Sequence, residues 1–392
     1  MKPGALALLR CPVCRGRLEA VAVHARAATG DLRDGVLACA ACGARYPVLG
    51  WIARLVPSAM LLSEERDVLE RAVADAEIVP AAEAGAEESL RAIEERSRRK
   101  ILPADLARGM EEQARRDFDY RARHTGEKMK FVRTAAPLLA GVPRAILDVG
   151  GGQGGTLSAF CATYAPEHAF LVDLDAEWLE IARLRDPATE VVRADATRLP
   201  FADGGIEFLI TTATLEHVPD WRSALREFVR VAGEGLVCYG PNGRFPYDFG
   251  HVAAPFVTWL PKPAAARVGA AWHALLRTGR SRETVRHQLE SVFYVPRARA
   301  ARELERSGAR VRNVFREFLE ESVRDEYHVH GGGLWQVLRD HPWLRGLFGR
   351  VLIALGMEPN VYLFFRARER AAGAAAGAEI RAPAAKKDAD DG

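Results

Sequence analysis

The stretch Ile146–Thr156, ILDVGGGQGGT, packs five glycines into the six positions 150–155, directly after an apolar run. Glycine in that density costs backbone entropy on folding, and its use is to let the backbone approach a ligand closely. Two templates fit. Gly150, Gly152 and Gly155 satisfy G-x-G-x-x-G, a dinucleotide fingerprint. Asp148 with Gly150, Gly152 and Gly154 satisfies an acidic residue followed by G-x-G-x-G. The surrounding acids help to separate the two. Asp173 ends the next apolar run, at the spacing of a carboxylate that hydrogen-bonds a ribose, which both kinds of cofactor contain. Asp148 would repel a pyrophosphate but favour a cofactor with a cationic sulfonium and an ammonium group. Asp195, in VVRADATRLPF, stands where a carboxylate can accept a hydrogen bond from an adenine amino group.

Four of the six cysteines form two C-x-x-C pairs, Cys11 and Cys14 in CPVC and Cys39 and Cys42 in CAAC. Each pair presents two sulfurs from one tight turn, so together they read as a tetrahedral thiolate site for zinc. With all four positions taken by sulfur the metal is expected to be structural. Cys161 and Cys238 fall on a predicted helix and a predicted strand and read as buried small apolar residues.

Proton transfer has its own candidates. TTATLEHVPDW offers Glu216 and His217 beside the expected fourth strand, and a neutral imidazole takes a proton near neutral pH. The aromatic, Pro-rich stretch GPNGRFPYDFGHVAAPFVTWLPKP reads as a lid or acceptor pocket, with His251 a second base candidate. His217 and His251 are expected on opposite sides of that pocket. His328 and His330, in EYHVHGGG, read as pocket-lining or turn residues.

Alternating strands and helices are needed to hold these residues. AILDV, AFLVDLD, EVVRAD, GIEFLITTA and GLVCYG read as strands, and LSAFCATY, AEWLEIARLR and WRSALREFVRVA as helices between them. That alternation predicts an α/β fold with a doubly wound, Rossmann-like parallel sheet. The glycine turn follows the first strand, at the carboxyl ends where such sheets bind ligands. The expected organisation is a small zinc-ribbon β domain over 1–57, a helical linker over 58–112, the Rossmann-like domain over 113–245, a C-terminal cap and acceptor region over 246–368, and a low-complexity, disordered tail over 369–392. WLRGLFGRVLIALGM reads as an amphipathic helix facing the core.

Bulk properties narrow the function. A formal charge of +3 on 392 residues gives no support for a broad nucleic-acid surface. No apolar run approaches the roughly 20 residues of a membrane span. MKPGALALLRCPVC lacks the cleavage region of a signal peptide, so a cytoplasmic protein is expected.

The segment 146–242 resembles a class I S-adenosylmethionine-dependent methyltransferase through ILDVGGGQG, LVDLD, RADATRLPF, IEFLITTATLEHV and VRVAGEGLVCYGPN, in that order. The resemblance implies S-adenosylmethionine as cofactor. It puts Gly150, Gly152 and Gly154 along the methionine and ribose, Asp173 on the ribose hydroxyls, Asp195 and Ala196 at the adenine, and Thr212 on the sulfonium side. Methyltransferases acting on amide or adenine nitrogens carry Asn/Asp-Pro-Pro-Tyr after the fourth strand. TTAT stands at Thr211–Thr214 instead, which disfavours those acceptors. The stretch also resembles E-M-L-E-H-V-P-D of ubiquinone-pathway O-methyltransferases, where acids and a histidine hold a divalent metal; Ala213 replaces the first Glu of that pattern.

LLRCPVCRGRLE and LACAACGARYPVLGWIARLVP resemble the zinc-ribbon family that includes the activator subunit of tRNA, rRNA and translation-factor methyltransferases, with Trp51 as a departure between Gly50 and Ile52. That family stabilises a methyltransferase by packing against it, which implies a ribbon packed on this chain's own methyltransferase domain or on a partner. The expected activity is methylation of an oxygen on a small metabolite, glycan or lipid-linked intermediate. An RNA methyltransferase using the ribbon for recognition and a non-catalytic cofactor-binding scaffold are the alternatives.

Overall fold

The computed structural model describes residues 1–26, 30–73, 125–139, 141–324 and 333–366. The strands are β1 (Leu18–Arg26), β2 (Leu32–Cys39), β3 (Arg45–Leu49), β4 (Ile52–Arg54), β5 (Ala145–Val149), β6 (His168–Asp173), β7 (Glu190–Arg193), β8 (Ile206–Thr212), β9 (Ala232–Pro241), β10 (Arg310–Asn313) and β11 (Asn360–Arg366). They form one sheet in the order β1-β2-β3-β4-β7-β6-β5-β8-β9-β11-β10. β7, β6, β5, β8 and β9 run parallel, as their alternation with helices predicts. The strand order reverses at β5, which lies between β6 and β8, so the glycine turn opens at the switch point.

Side chains on a strand alternate between faces, and the core divides accordingly. Ile146 packs on one face with Phe131, Phe160 of the Gly155–Tyr164 helix, and Phe208. Its neighbour Leu147 packs on the other with Phe170, Leu209 and Phe228 of the Trp221–Val231 helix. Asp175 caps the Ala176–Arg185 helix by accepting from Glu177 N at 3.0 Å, and Asp220 caps Trp221–Val231 by accepting from Ser223 N at 3.1 Å.

The ribbon and the parallel sheet share one core. β4 pairs in parallel with β7 through Ala53↔Val192 and Arg54↔Arg193, which covers an edge that would otherwise expose unpaired backbone groups. Leu9, Leu37 and Tyr46 pack in the same cluster as Phe170, Phe201 and Phe228. Of the two expected docking modes, the ribbon takes the one on its own chain. Trp51, in a left-handed turn (φ 66°), places its ring 5.0 Å from the guanidiniums of both Arg33 and Arg183, one from each module. Glu65, on the Ser63–Val73 helix, closes the junction with ion pairs of 2.6 Å to Arg54 on β4 and 2.7 Å to Arg193 on β7.

Two expectations need correction. The boundary at residue 245 cuts the sheet, because β11 inserts antiparallel between β9 and β10. Leu363 and Phe364 bury on opposite faces, which suits a strand enclosed on both sides. The remaining cap has a core of its own, in which Val252 and Val257 meet Ala265 of the Lys262–Leu276 helix and Val285 and Leu289 of the Arg282–Ser291 helix. The Pro342–Leu355 helix is the second case. It turns Gly349 toward Leu319 with Leu344, Phe348 and Leu352 half-buried beside it, and leaves Trp343, Leu347, Val351 and Leu355 exposed among the described residues, so only part of its apolar surface faces inward. Cys238 is buried as expected and Cys161 half-buried. Linker residues 74–112, the tail 369–392, His328 and His330 lie outside the described residues.

Candidate cofactor turn, histidine pair and cysteine site

The two glycine templates differ at Gly154 and Gly155. Gly150, Gly152 and Gly154 all have positive φ (67°, 52° and 81°), while Gly155 has entered the helix. The left-handed residues are therefore those of the acid-plus-G-x-G-x-G pattern. A Cβ on Gly150 would stand 2.1 Å from Thr214 Cγ2, and one on Gly151 would stand 2.8 Å from Asp148 Cγ. The Thr214 hydroxyl donates to the Val149 carbonyl at 3.0 Å and lies 3.3 Å from the Gly150 carbonyl, tying the loop after β8 to the turn.

The acids converge on this turn. Asp173 accepts from Gly152 N at 3.0 Å, Leu174 N at 2.7 Å and Asp175 N at 3.0 Å. Burial raises its carboxyl, and these three N–H groups oppose the rise. Asp195 follows β7, where Ala194 N donates to the Asp173 carbonyl at 3.1 Å, and it accepts from the Thr197 amide and hydroxyl, both at 2.8 Å. Ala196 is half-buried beside it. The Thr212 and Thr156 hydroxyls are 3.3 Å apart on the opposite flank. Asp148 is fully buried under the turn, and its carboxylate makes no well-aligned hydrogen bond among the described residues, the Leu157 amide being the one backbone donor that faces it. Burial pushes its carboxyl up to about 7, against the opposing pull of the Lys128 ammonium. A buried carboxylate under a backbone cradle that a Cβ would fill fits a cationic cofactor.

His217 and His251 touch, and so do not lie on opposite sides of a pocket. Their Nε2 atoms are 3.3 Å apart and their rings meet edge to face. The reason is Asp248, buried at the turn of the aromatic loop. Its carboxylate accepts from the amides of Gly250, His251 and Val252 and bends the chain back onto the Leu215–His217 turn. His273 then holds the loop, with Nε2 at 2.6 Å from the Val252 carbonyl. His217 Nδ1 is 3.2 Å from the Ser291 carbonyl, and His251 Nδ1 is 3.5 Å from Asp248 Oδ1. Glu216 lies behind the pair, with Oε1 3.9 Å from His251 Nε2.

The surroundings pull these groups apart electrostatically. Burial pushes the Glu216 carboxyl up to about 7, against the pull of His251. Burial and the neighbouring His251 lower His217. For His251 burial lowers the imidazole, but Asp248 and Glu216 outweigh it and the net shift is upward. Asp248 and Arg54–Glu65–Arg193 carry no short motif. The signal for Asp248 was an acid three residues before His251 in a turn-rich loop.

The cysteines meet as their spacing requires. Cys11 and Cys42 sulfurs are 3.7 Å apart, Cys14 and Cys39 sulfurs 3.4 Å apart, and all four lie within 4.8 Å of one another. Zinc–sulfur bonds of about 2.3 Å in a tetrahedron put sulfurs about 3.8 Å apart, so the set fits zinc. The Tyr46 hydroxyl lies 3.1 Å from Cys11 Sγ. Gly16 is required here, since its Cβ would stand 2.8 Å from Cys39 Sγ. Burial raises the Cys39 thiol, but the amides of Cys42 and Ala41 outweigh it and bring the thiol down to about 7.

Residues 147–239 match the family model of a methyltransferase domain, and residues 2–49 match that of Trm112p-like proteins. The chain joins a Trm112p-like domain to a methyltransferase domain. An uncharacterized methyltransferase of Mycobacterium sp. (strain JLS) is 39% identical over 93 residues, which is 24% of this chain and 36% of the relative. A malonyl-[acyl-carrier protein] O-methyltransferase of Halorhodospira halophila is 33% identical over 105 residues, 26% of this chain and 36% of the relative. The chain thus spans little more than a third of the length of these curated relatives. Among solved structures, a complex between the Haloferax volcanii Trm112 methyltransferase activator and a methyltransferase aligns with a TM-score of 0.32 at 15% identity, over 49% of this chain and 75% of that one. In the methyltransferase domain the matched segment runs from Leu147 to Tyr239 and contains every residue assigned above to the cofactor, together with Glu216 and His217. His251 lies beyond it. No helix among the described residues is long and apolar enough to cross a membrane.

Proposed function

We propose that the methyltransferase domain binds S-adenosylmethionine and transfers its methyl group to an oxygen of a small metabolite, glycan or lipid-linked acceptor in the cytoplasm. The observation that carries this reading is the buried Asp148 carboxylate beneath three left-handed glycines, with Asp173 at the end of β6 and Asp195 just beyond the adjacent β7. The cofactor supplies an electrophilic methyl on a sulfonium, so the protein has mainly to position the acceptor and manage its proton. Gly150, Gly152 and Gly154 let the backbone approach the methionine and ribose, Asp173 has oxygen lone pairs left for the ribose hydroxyls, and Asp195 with Ala196 borders the adenine. Thr212 flanks the sulfonium. The Leu215–His217 turn begins one residue after Thr214, which contacts the glycine turn, so His217 and His251 stand beside the cofactor site as the acceptor-side groups. The four cysteines hold one structural zinc, which stabilises the Trm112p-like domain against the methyltransferase domain.

Calorimetry with S-adenosylmethionine tests the reading. Asp173→Ala should weaken binding by about 1.5–3 kcal/mol, the range for hydrogen bonds to a charged group. Unchanged affinity would remove the ribose assignment, and tighter binding of a nicotinamide nucleotide would remove the cofactor.

Asp148 adds a linked proton. Its carboxyl is held near 7 by burial, so below that pH it is mostly neutral. A bound sulfonium and ammonium favour the carboxylate and lower this value, so binding should release a proton and affinity should rise with pH up to about 7 and then level. Calorimetry in buffers of different ionisation enthalpy reads this directly. Asp148→Asn should abolish the release, and proton uptake by the unaltered protein would contradict the assignment.

A further inference from the structure

We propose that Glu216, His217 and His251 hold a divalent transition-metal cation beside the cofactor turn. Each ring is already oriented for it. His217 Nδ1 faces the Ser291 carbonyl at 3.2 Å and His251 Nδ1 faces the Asp248 carboxylate at 3.5 Å. A carbonyl at His217 Nδ1 and a carboxylate at ion-pair distance from His251 Nδ1 both favour the ring hydrogen there and the lone pair on Nε2, the arrangement by which outer-shell partners prepare histidines for metals. The result is two Nε2 lone pairs facing one another at 3.3 Å. Two imidazoles on a tetrahedral ion, with metal–nitrogen bonds of about 2.0–2.1 Å, stand about 3.3–3.4 Å apart.

Glu216 supplies the negative charge. It is 2% exposed, and beyond its own backbone amide neither of its oxygens meets a hydrogen-bond donor among the described residues. A buried carboxylate is unfavourable unless a cation or donors compensate it. Its Oε1 is 3.9 Å from His251 Nε2, and one ligand atom from each of the three residues falls within 4.8 Å of the others. Gly240 keeps the space open, since its Cβ would stand 3.0 Å from Glu216 Oε2. His251 is brought to the cluster by the Asp248 turn.

Two imidazoles and one carboxylate suit zinc, cobalt, nickel or iron(II) better than magnesium or calcium, and leave coordination positions for water or an acceptor oxygen. The role of the ion in catalysis rests on the methyl-transfer reading. Such an ion would acidify an acceptor hydroxyl, whose proton would pass to water as its oxygen bonds to the methyl carbon and the carbon–sulfur bond of the sulfonium breaks. In that role His217 and His251 act as ligands, and neither ring takes the acceptor proton.

Cobalt titration of the full-length protein, with its cysteine site already filled by zinc, tests the site apart from activity. The protein should take up about one further equivalent of Co2+, with visible d–d absorption and without the intense sulfur-to-cobalt charge-transfer band of a thiolate site. His251→Ala and Glu216→Gln should each weaken this binding about ten-fold or more. His251→Gln provides a second variant if the alanine form does not fold. No further equivalent in the unaltered protein, or unchanged cobalt affinity in folded His251 variants, would overturn the proposal and leave a histidine pair that shares a proton. S-adenosylmethionine binding measured on the same samples separates the two readings. Cobalt uptake without cofactor binding keeps the ion site and removes the methyl-transfer assignment, whereas cofactor binding without cobalt uptake does the reverse.

Discussion

Stripping zinc from Cys11, Cys14, Cys39 and Cys42 should lower the melting temperature of the whole chain and weaken cofactor binding with it. Structural zinc supplies on the order of 10 kcal/mol in small isolated zinc domains. If only ~3 kcal/mol of that applies here, the midpoint should still move by about 4 °C for a chain of this length. The loss should not stay within the Trm112p-like domain. Cys11 and Cys39 are buried in the same core as Phe170 and Phe201, and β4 is hydrogen-bonded to β7, the strand that leads to Asp195. Loosening the cysteine turns therefore frees the sheet edge beside the adenine end of the site. Scanning calorimetry before and after chelation, with metal analysis of both samples, reads the effect. An unchanged midpoint in protein shown to have lost zinc would mean that the ribbon fold stands without the ion.

Glu65→Gln should be the most damaging single isosteric change at the junction of the two domains. Glu65 Oε1 lies 2.6 Å from Arg54 Nε, while Oε2 lies 2.7 Å from Arg193 Nη1 and accepts from Leu62 N at 2.8 Å. All three charged side chains are at most 9% exposed. Burial lowers the Arg54 guanidinium and Glu65 opposes that shift. The amide keeps the shape and removes the charge, leaving two buried cations without their carboxylate. Removing one partner of a buried ion pair costs about 3–5 kcal/mol. Urea unfolding of Glu65→Gln should show that loss, while Glu64→Gln on the exposed neighbour should stay within about 0.5 kcal/mol. Equal stability of the two variants would show that other acids neutralise the arginines.

The parts of the site legible in the sequence are those whose geometry is set within a few residues. The glycine turn and each cysteine pair are local, set by spacing over a few residues. The domain boundary at 245 misleads for the opposite reason. VYLFFR has no helix of its own to announce a parallel strand, and its antiparallel insertion beside β9 depends on a partner far away in the chain. The Pro342–Leu355 helix misleads because periodicity states that a face is apolar and not what covers it.

By itself the sequence determined the α/β alternation, the acid-and-glycine turn, the four-cysteine set and the presence of acids and histidines after the fourth strand. Hydrophobic period, turn chemistry and C-x-x-C spacing act over short stretches and need no long-range closure. Tertiary structure alone decided that the Trm112p-like domain continues the methyltransferase sheet, that Glu65 bonds Arg193 from 128 residues away, and that His251 meets His217 across 34 residues. Such contacts form only when distant segments are brought together against the entropy of closing long loops, and a buried carboxylate such as Asp248 or Glu65 selects one closure by leaving every other with an uncompensated charge.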